Sequence, residues 1–249
     1  MNRAFFNGVG LVALFTFLCG AFTSVGAAEV KIKDKYFKYS GVKYWRNKAE
    51  NVEIGSYGEK KTSGKYIAVQ GDIGTKNIKS SVKFVGPITI DWSKQKTTAV
   101  QASATLYVKN TGATAGFTHK KAKSAKLKLM KFYVNEGKLK TVINKKSKKA
   151  LNYAKDEGGD FRVISEVWVV MEAKIAEEII NSGSVNVSGS QKGVKFDVKA
   201  KGSSKTTTSF TLPAGSTFAY LMHKVKKWNK KKGKKTTIKD MEDDQYGGR

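Results

Sequence analysis

The sequence predicts an α+β protein in which a large, twisted antiparallel sheet carries one or two helices. Three observations support this fold class. Alternating apolar and polar residues, the period of a half-buried strand, recur along the chain. One stretch, 138–156, has the spacing of an amphipathic helix instead. Of the 249 residues 40% are hydrophobic, which is enough to form the core of a domain of this size.

The first half of the chain is predicted to consist of strands. The most regular alternation lies at 99–108, where every second residue is apolar. Gly86-Pro87 indicates a turn that separates two of the strands. The strands predicted in this half are 30–39, 65–70, 82–85, 88–92, 99–108 and 125–134.

The second half begins with the helical stretch 138–156, which reads as one helix or two short ones with a strongly basic face. Gly158-Gly159 is predicted to end it. The predicted strands that follow are 160–173, 184–188, 194–200 and 206–212, of which the second and third form a hairpin, whereas 176–183 and 217–228 fit either a strand or a helical turn.

A tight β-turn is predicted at Leu212-Pro213-Ala214-Gly215, between two strands. Pro213 restricts φ to the value that such a turn needs, and Gly215 tolerates a positive φ. The last residues, 229–249, contain a basic cluster followed by an acidic one and show no core pattern. We therefore expect a single domain at 29–228 and a mobile tail at 229–249.

The N-terminal residues 1–28 have the three parts of a secretory signal peptide. Arg3 is their one charged residue, a short apolar run follows, and small residues precede Ala27-Ala28. The apolar run is shorter than the ~20 residues of a spanning helix. We expect export to the periplasm or the extracellular space. The mature chain would lose the single cysteine, Cys19, and would depend on its packed core for stability.

The chain is strongly basic, and its bases are nearly all lysines. It has 47 Lys+Arg against 20 Asp+Glu, a formal net charge of +27. Lysine is a compact, hydrated point charge and a poor bidentate reader of bases. The composition therefore favours diffuse contact with an anionic surface and argues against sequence-specific recognition of nucleic acid.

Four lysine clusters are the candidate binding sites for an anionic membrane or another polyanion. A lysine near an anionic membrane contributes about 1 kcal/mol to binding, and neighbouring aromatic residues such as Trp228 suit a lipid interface. The candidate residues are Lys120, Lys121, Lys123, Lys145, Lys146, Lys148, Lys149, Lys224, Lys226, Lys227, Lys230, Lys231 and Lys232.

No pattern of catalytic or metal-binding residues is visible in the sequence. The two histidines, His119 and His223, have no acid nearby in sequence and read as surface residues. The acidic cluster 240–244 lacks the spacing of a calcium loop and reads as part of the solvated tail. We expect a protein that is not an enzyme and that carries no cofactor and no metal.

Two stretches of the C-terminal half resemble the pore-forming domain of the gasdermin family. The first, 150–167, runs from the basic helix through a glycine turn into a strand with the pattern x-V-x-x-E-V. The second, 205–220, is similar to the family's pattern I-P-x-G-S/T-x-L-A-Y/F. Its matched positions are Leu212, Pro213, Gly215, Ser216, Thr217, Ala219 and Tyr220.

This resemblance, which covers about 150–228, implies a protein whose strands lengthen into amphipathic hairpins and insert into a membrane as a ring of identical subunits. The candidate hairpins are 82–108 and 161–200. The predicted signal peptide is a departure from the family. The apolar face of the candidate inserting strand comprises Val100, Ala102, Ala104, Leu106 and Val108.

Two functions stay open at this level. The first is an exported protein that binds anionic membranes and forms gasdermin-like pores. The second is a soluble polyanion-binding or adhesive module without pore activity. Alternation at 99–108 does not separate them, because a soluble sheet with one wet face has the same pattern as a spanning strand.

Overall fold

The computed structural model describes residues 29–63, 65–90, 127–182, 185–190, 193–199, 207–213 and 217–248. It confirms an α+β fold rich in antiparallel strands. The strands are β1 Val30–Ile32, β2 Tyr36–Tyr39, β3 Val42–Trp45, β4 Ser56–Lys61, β5 Tyr66–Asp72, β6 Val82–Thr89, β7 Leu127–Val134, β8 Phe161–Glu172, β9 Val185–Ser190, β10 Gly193–Lys199, β11 Thr207–Pro213, β12 Thr217–Lys231 and β13 Lys234–Asp244. The helices are α1 Thr75–Ile78, α2 Glu136–Lys146, α3 Lys148–Glu157 and α4 Ala173–Ser182.

Strands β8 and β12 form the centre of a ten-stranded antiparallel sheet. They pair from Val163↔His223 to Val169↔Thr217. The other edge of β8 pairs with β4 at its start and with β7 further along. The other edge of β12 pairs with β3 at Tyr220 and with β13 from Met222 onward. Strands β9, β10 and β11 form a second, three-stranded antiparallel sheet.

The central strand β8 is buried on both faces, which explains why its sequence is apolar almost throughout. Val167 and Val169 belong to the hydrophobic core on which α2 and α3 pack, whereas Trp168 and Val170 belong to a second core on the opposite face. A strand with both faces covered loses the polar half of the alternation.

The large sheet curls strongly on the side of the second core. Phe37 on β2 and Trp168 on β8 are separated by two intervening strands, β3 and β12. That is about 14 Å in a flat sheet, yet the two ring centroids lie 5.2 Å apart in an edge-to-face contact. Phe218 on β12 belongs to the same core and makes a second edge-to-face contact with Phe37, at 5.6 Å. An aromatic core of this kind closes the concave face.

The helical prediction for 138–156 is confirmed in its two-helix form, with Ser147 at the junction of α2 and α3. Two further helices are present in the described chain: the short α1, and α4, which includes the stretch 176–182 that fitted either a strand or a helical turn. The prediction of a turn at Gly86-Pro87 is wrong. β6 continues through these residues with a bulge between Val85 and Ile88, and Gly86 takes a φ of 120° there.

The prediction of a mobile tail at 229–249 is also wrong, and so is the predicted domain boundary at 228. β12 runs to Lys231, and β13 pairs with it from Lys234 to Asp244. The Lys232-Gly233 turn joins them with φ values of 50° and 76°, the conformation of a type I′ hairpin. The strand interpretation of 217–228 and the helical interpretation of 176–183 are correct.

The predicted hairpin of 184–188 and 194–200 is present as β9 and β10. Pro213 is the last residue of β11, and β11 and β12, the strands before and after 214–216, lie in different sheets. The remaining predictions lie outside the described residues: the signal peptide 1–28, Lys120, Lys121, Lys123 and His119, the strand Val100, Ala102, Ala104, Leu106 and Val108, and Gly215.

Candidate functional site

The β12–β13 hairpin extends beyond the sheet and carries the densest positive charge of the described chain. The pairing of β12 with β8 ends at His223, and from Lys224 onward β13 is its partner. The segment 224–235 has eight lysines and no acid. Lys230, Lys231, Lys232, Lys234 and Lys235 at the tip are all exposed. The hairpin therefore presents a cluster of ammonium groups to solvent, held by the pairing of β12 with β13.

The acids of this hairpin lie at its base. Glu242 contacts Lys224 at 3.2 Å and Lys226 at 3.6 Å across the strand pair. The hairpin is thus electrically polar, with paired charges near the sheet and lysines at the far end. Cross-strand ion pairs of this kind stabilise the register, although each exposed pair contributes less than about 1 kcal/mol.

Helix α2 lies along the free edge of β13, which brings a second lysine cluster beside the first. The Asn144 amide pairs with both backbone groups of Ile238, at 2.8 Å in each direction. One turn earlier Lys140 Nζ donates to the Lys239 carbonyl at 3.1 Å, and one turn before that Glu136 accepts from the Met241 N–H at 3.2 Å. These three side chains share one helix face because their spacing is i, i+4, i+8.

Lys235 connects the hairpin to α3. Its Nζ donates to the Lys155 carbonyl at 3.2 Å and lies 5.3 Å from the centroid of the Trp228 ring. The last turn of α3 therefore lies beside Lys235, and the α2–α3 junction, three residues beyond Asn144, lies near Ile238; the four lysines of the junction are exposed. We call the combined surface the lysine face; it comprises Lys145, Lys146, Lys148, Lys149, Lys230, Lys231, Lys232, Lys234 and Lys235.

Two predicted clusters thus meet on one surface. Lys226 and Lys227 lie on the same hairpin and are exposed, whereas Lys224 is partly covered and pairs with Glu242. No sequence pattern links 145–149 with 230–235, because residues some 85 positions apart approach each other only through the docking of α2 on β13.

The acidic cluster 240–244 is structural, which corrects its assignment to a solvated tail. The Asp244 side chain is 1% exposed and lies between two cations. Its carboxylate accepts from Arg162 Nε and from Lys60 Nζ, the latter at 2.9 and 3.1 Å. The Asp244 carbonyl accepts from the Trp45 indole at 2.7 Å. This network fastens the end of β13 to β3, β4 and β8.

His223 is buried, contrary to the expectation of a surface histidine. Its Nε2 lies 3.2 Å from Asp243 Oδ1, and its buried Nδ1 has no hydrogen-bond partner in the described part of the protein. Burial lowers the pKa of His223, and the carboxylates of Asp243, Glu136 and Glu166 oppose that shift.

Within the described ranges, His, Cys, Asp and Glu side chains nowhere gather in a group of three or more that could hold a metal ion. The same ranges contain no helix with the length and apolarity to cross a bilayer. The chain matches no protein-family model, and neither the curated proteins nor the solved structures give a match.

Proposed function

We propose that this is an exported protein that binds anionic membranes through the lysine face. The observation that carries the proposal is the meeting of two lysine clusters on one exposed surface, where β13 holds them on a rigid hairpin and two helices. The predicted signal peptide, 1–28, supports export. Positive charge concentrated on one face of a protein attracts an anionic surface more strongly than the same charge spread evenly.

The surroundings of the lysine face favour an electrostatic contact rather than insertion. In the described chain the exposed large hydrophobic residues are Val69, Val85 and Ile180, and none belongs to this face. Trp228 packs partly against the core. Exposed charges are screened within about 8 Å at physiological salt, so binding should weaken as salt is raised.

The test uses the chain from Glu29 onward and sedimentation with vesicles. We expect binding to phosphatidylserine-containing vesicles, none to phosphatidylcholine vesicles, and release at high salt. Replacing Lys230, Lys231 and Lys234 by Gln should lower affinity about a hundredfold, since each lysine contributes about 1 kcal/mol. The matched control replaces Lys31, Lys35 and Lys43, which are exposed elsewhere. An equal loss in both triple variants would contradict a role for the lysine face.

The same vesicles, filled with a self-quenching dye, separate the two functions that the sequence leaves open. The gasdermin resemblance supports pore formation and predicts dye release wherever the protein binds. Binding without release supports a polyanion-binding module instead. Binding that persists unchanged at high salt would contradict the electrostatic mechanism itself.

A further inference from the structure

A small cavity lies at the opposite end of β13 from the lysine face, roughly 35 Å along the strand. It has a volume of about 150 Å³. Trp45, Lys60, Thr62, Lys65, Tyr246 and the Gly247-Gly248 backbone line it. The cavity is therefore independent of the proposed membrane contact and contains a different set of side chains.

The wall formed by Lys60 carries an excess of positive charge. The Lys60 side chain is 12% exposed, and its ammonium directs hydrogen bonds to both oxygens of Asp244. An ammonium has three N–H groups, so one remains for a ligand. Asp244 also binds Arg162, which means that two cations share a single carboxylate. Lys65, which is exposed, adds a further charge at the rim.

A second part of the lining is aromatic and held in place beside the two lysines: Lys60 Nζ lies 5.1 Å from the centroid of the Trp45 ring, and Lys65 Nζ lies 5.8 Å from that of Tyr246. The rings of Trp45 and Tyr246 meet at 5.1 Å and 70°, and Tyr246 stacks on Tyr36 at 5.1 Å. The Tyr246 N–H also donates to the Lys43 carbonyl at 2.9 Å. An apolar surface next to a half-desolvated ammonium suits a ligand with one anionic end and a compact carbon skeleton.

We propose that this cavity binds a small carboxylate, with its anionic end on Lys60 and Lys65 and its skeleton against Trp45 and Tyr246. The small volume limits the buried part of the ligand to one carboxylated ring or short chain. A monoanion matches the single excess charge of the buried Lys60–Asp244–Arg162 network, whereas the exposed Lys65 adds its charge only at the rim, where solvent screens it. A dianion such as phosphate meets stronger repulsion from Asp244.

The test follows the indole N–H of Trp45 by two-dimensional NMR, with the signal assigned by Trp45→Phe. Glucuronate and benzoate should each shift it saturably, and inorganic phosphate should not. The carboxylate with the lower dissociation constant indicates whether the natural ligand is a sugar acid or an aromatic acid. No saturable shift with either carboxylate, or an equal response to phosphate, overturns the proposal.

Variants locate the site. Lys60→Gln keeps a donor for Asp244 but removes the charge, and should lower carboxylate affinity tenfold or more, because a charge-assisted hydrogen bond is lost. Lys61→Gln is the matched control, since Lys61 is more exposed and pairs with Glu59; it should bind as the wild type does. Tyr246→Ala leaves the ion pairs intact and should also weaken binding. Unchanged affinity in both Lys60→Gln and Tyr246→Ala overturns the assignment.

Discussion

At the scale of single residues, Asp244 shows how one buried charge holds a terminal strand. Its carboxylate lies within hydrogen-bonding distance of Lys60 and Arg162, which belong to β4 and β8. A buried ion network of this kind adds little net stability compared with apolar residues of similar volume. Removing one member is costly, however, because the remaining charges stay buried without compensation.

We therefore predict that Asp244→Asn lowers the free energy of unfolding by about 3 kcal/mol or more. The measurement is urea denaturation, with an unchanged m-value as evidence that the denatured state is the same. Asp243→Asn is the control, because the Asp243 side chain is 47% exposed and its loss should cost less than about 1 kcal/mol. Equal losses of unfolding free energy in the two variants would show that the buried network contributes no more than an exposed ion pair.

His223 makes stability depend on pH. Because burial lowers its pKa in the folded protein below the ordinary value of 6.5, the unfolded chain binds the proton first as pH falls. Stability should therefore decrease as pH drops below about 6.5, by at most about 1.4 kcal/mol per pH unit. The carboxylates of Asp243, Glu136 and Glu166, which face the imidazole, reduce this effect without reversing it.

The check compares wild type with His223→Gln at pH 7.5 and at pH 5.5. The variant should lose less stability between these two pH values, because Gln does not titrate. If both proteins lose the same amount, His223 is not the group that responds in this range.

At the scale of elements, the docking of α2 on β13 depends on Asn144. The free edge of a terminal strand exposes unpaired backbone groups and invites pairing with another chain. Asn144 occupies the donor and the acceptor of Ile238 with one side-chain amide. The helix thus covers the edge with polar side chains while Leu139, Val142 and Ile143 face the core.

We predict that Asn144→Ala costs about 1–2 kcal/mol, since it leaves two partly buried backbone groups unpaired. Hydrogen exchange should report the lost contact directly, because the Ile238 N–H should exchange faster in the variant. Asn152→Ala is the matched control on α3, where the side chain is exposed, and should change stability by less than 0.5 kcal/mol or so. Unaltered exchange at Ile238 in Asn144→Ala would contradict edge protection.

At the scale of the whole molecule, β13 belongs to the cooperative fold although its sequence reads as a tail. It buries Ile238 and Met241 in the main core and supplies Asp244 to the ion network. Self-repulsion among so many lysines opposes folding, which makes these contacts more important. The hairpin is therefore both the carrier of the lysine face and a structural element of the sheet.

Deleting 234–249 should consequently lower the melting temperature or abolish the cooperative transition, as followed by circular dichroism. Loss of two core side chains alone is worth several kcal/mol, a large part of the stability of a domain. The control is the triple variant of Lys230, Lys231 and Lys234, which lowers tip charge but keeps the strand. If the truncated chain has the same melting temperature as the full chain, 234–249 does not contribute to the stability of the fold.

Local patterns in the sequence predict the fold class and most of the described strands, because alternation over five or more residues reports which face of a strand is buried. They also predict a helical stretch at 138–156, as one helix or two, where apolar residues at helical spacing define a core face; the structure has two helices there, α2 and α3. The lysine clusters were visible for the same reason, since charge is a local property of the chain.

The tertiary structure alone decided the rest. β13 escaped prediction because it contributes only two buried apolar residues, and its remaining support comes from Asn144, Glu242 with its lysines, and the partners of Asp244, all distant in sequence or across a turn. The curl of the sheet, the lysine face and the cavity beside Lys60 likewise arise from contacts between residues far apart in the chain. No local pattern encodes such contacts, because they depend on how completed elements pack against one another.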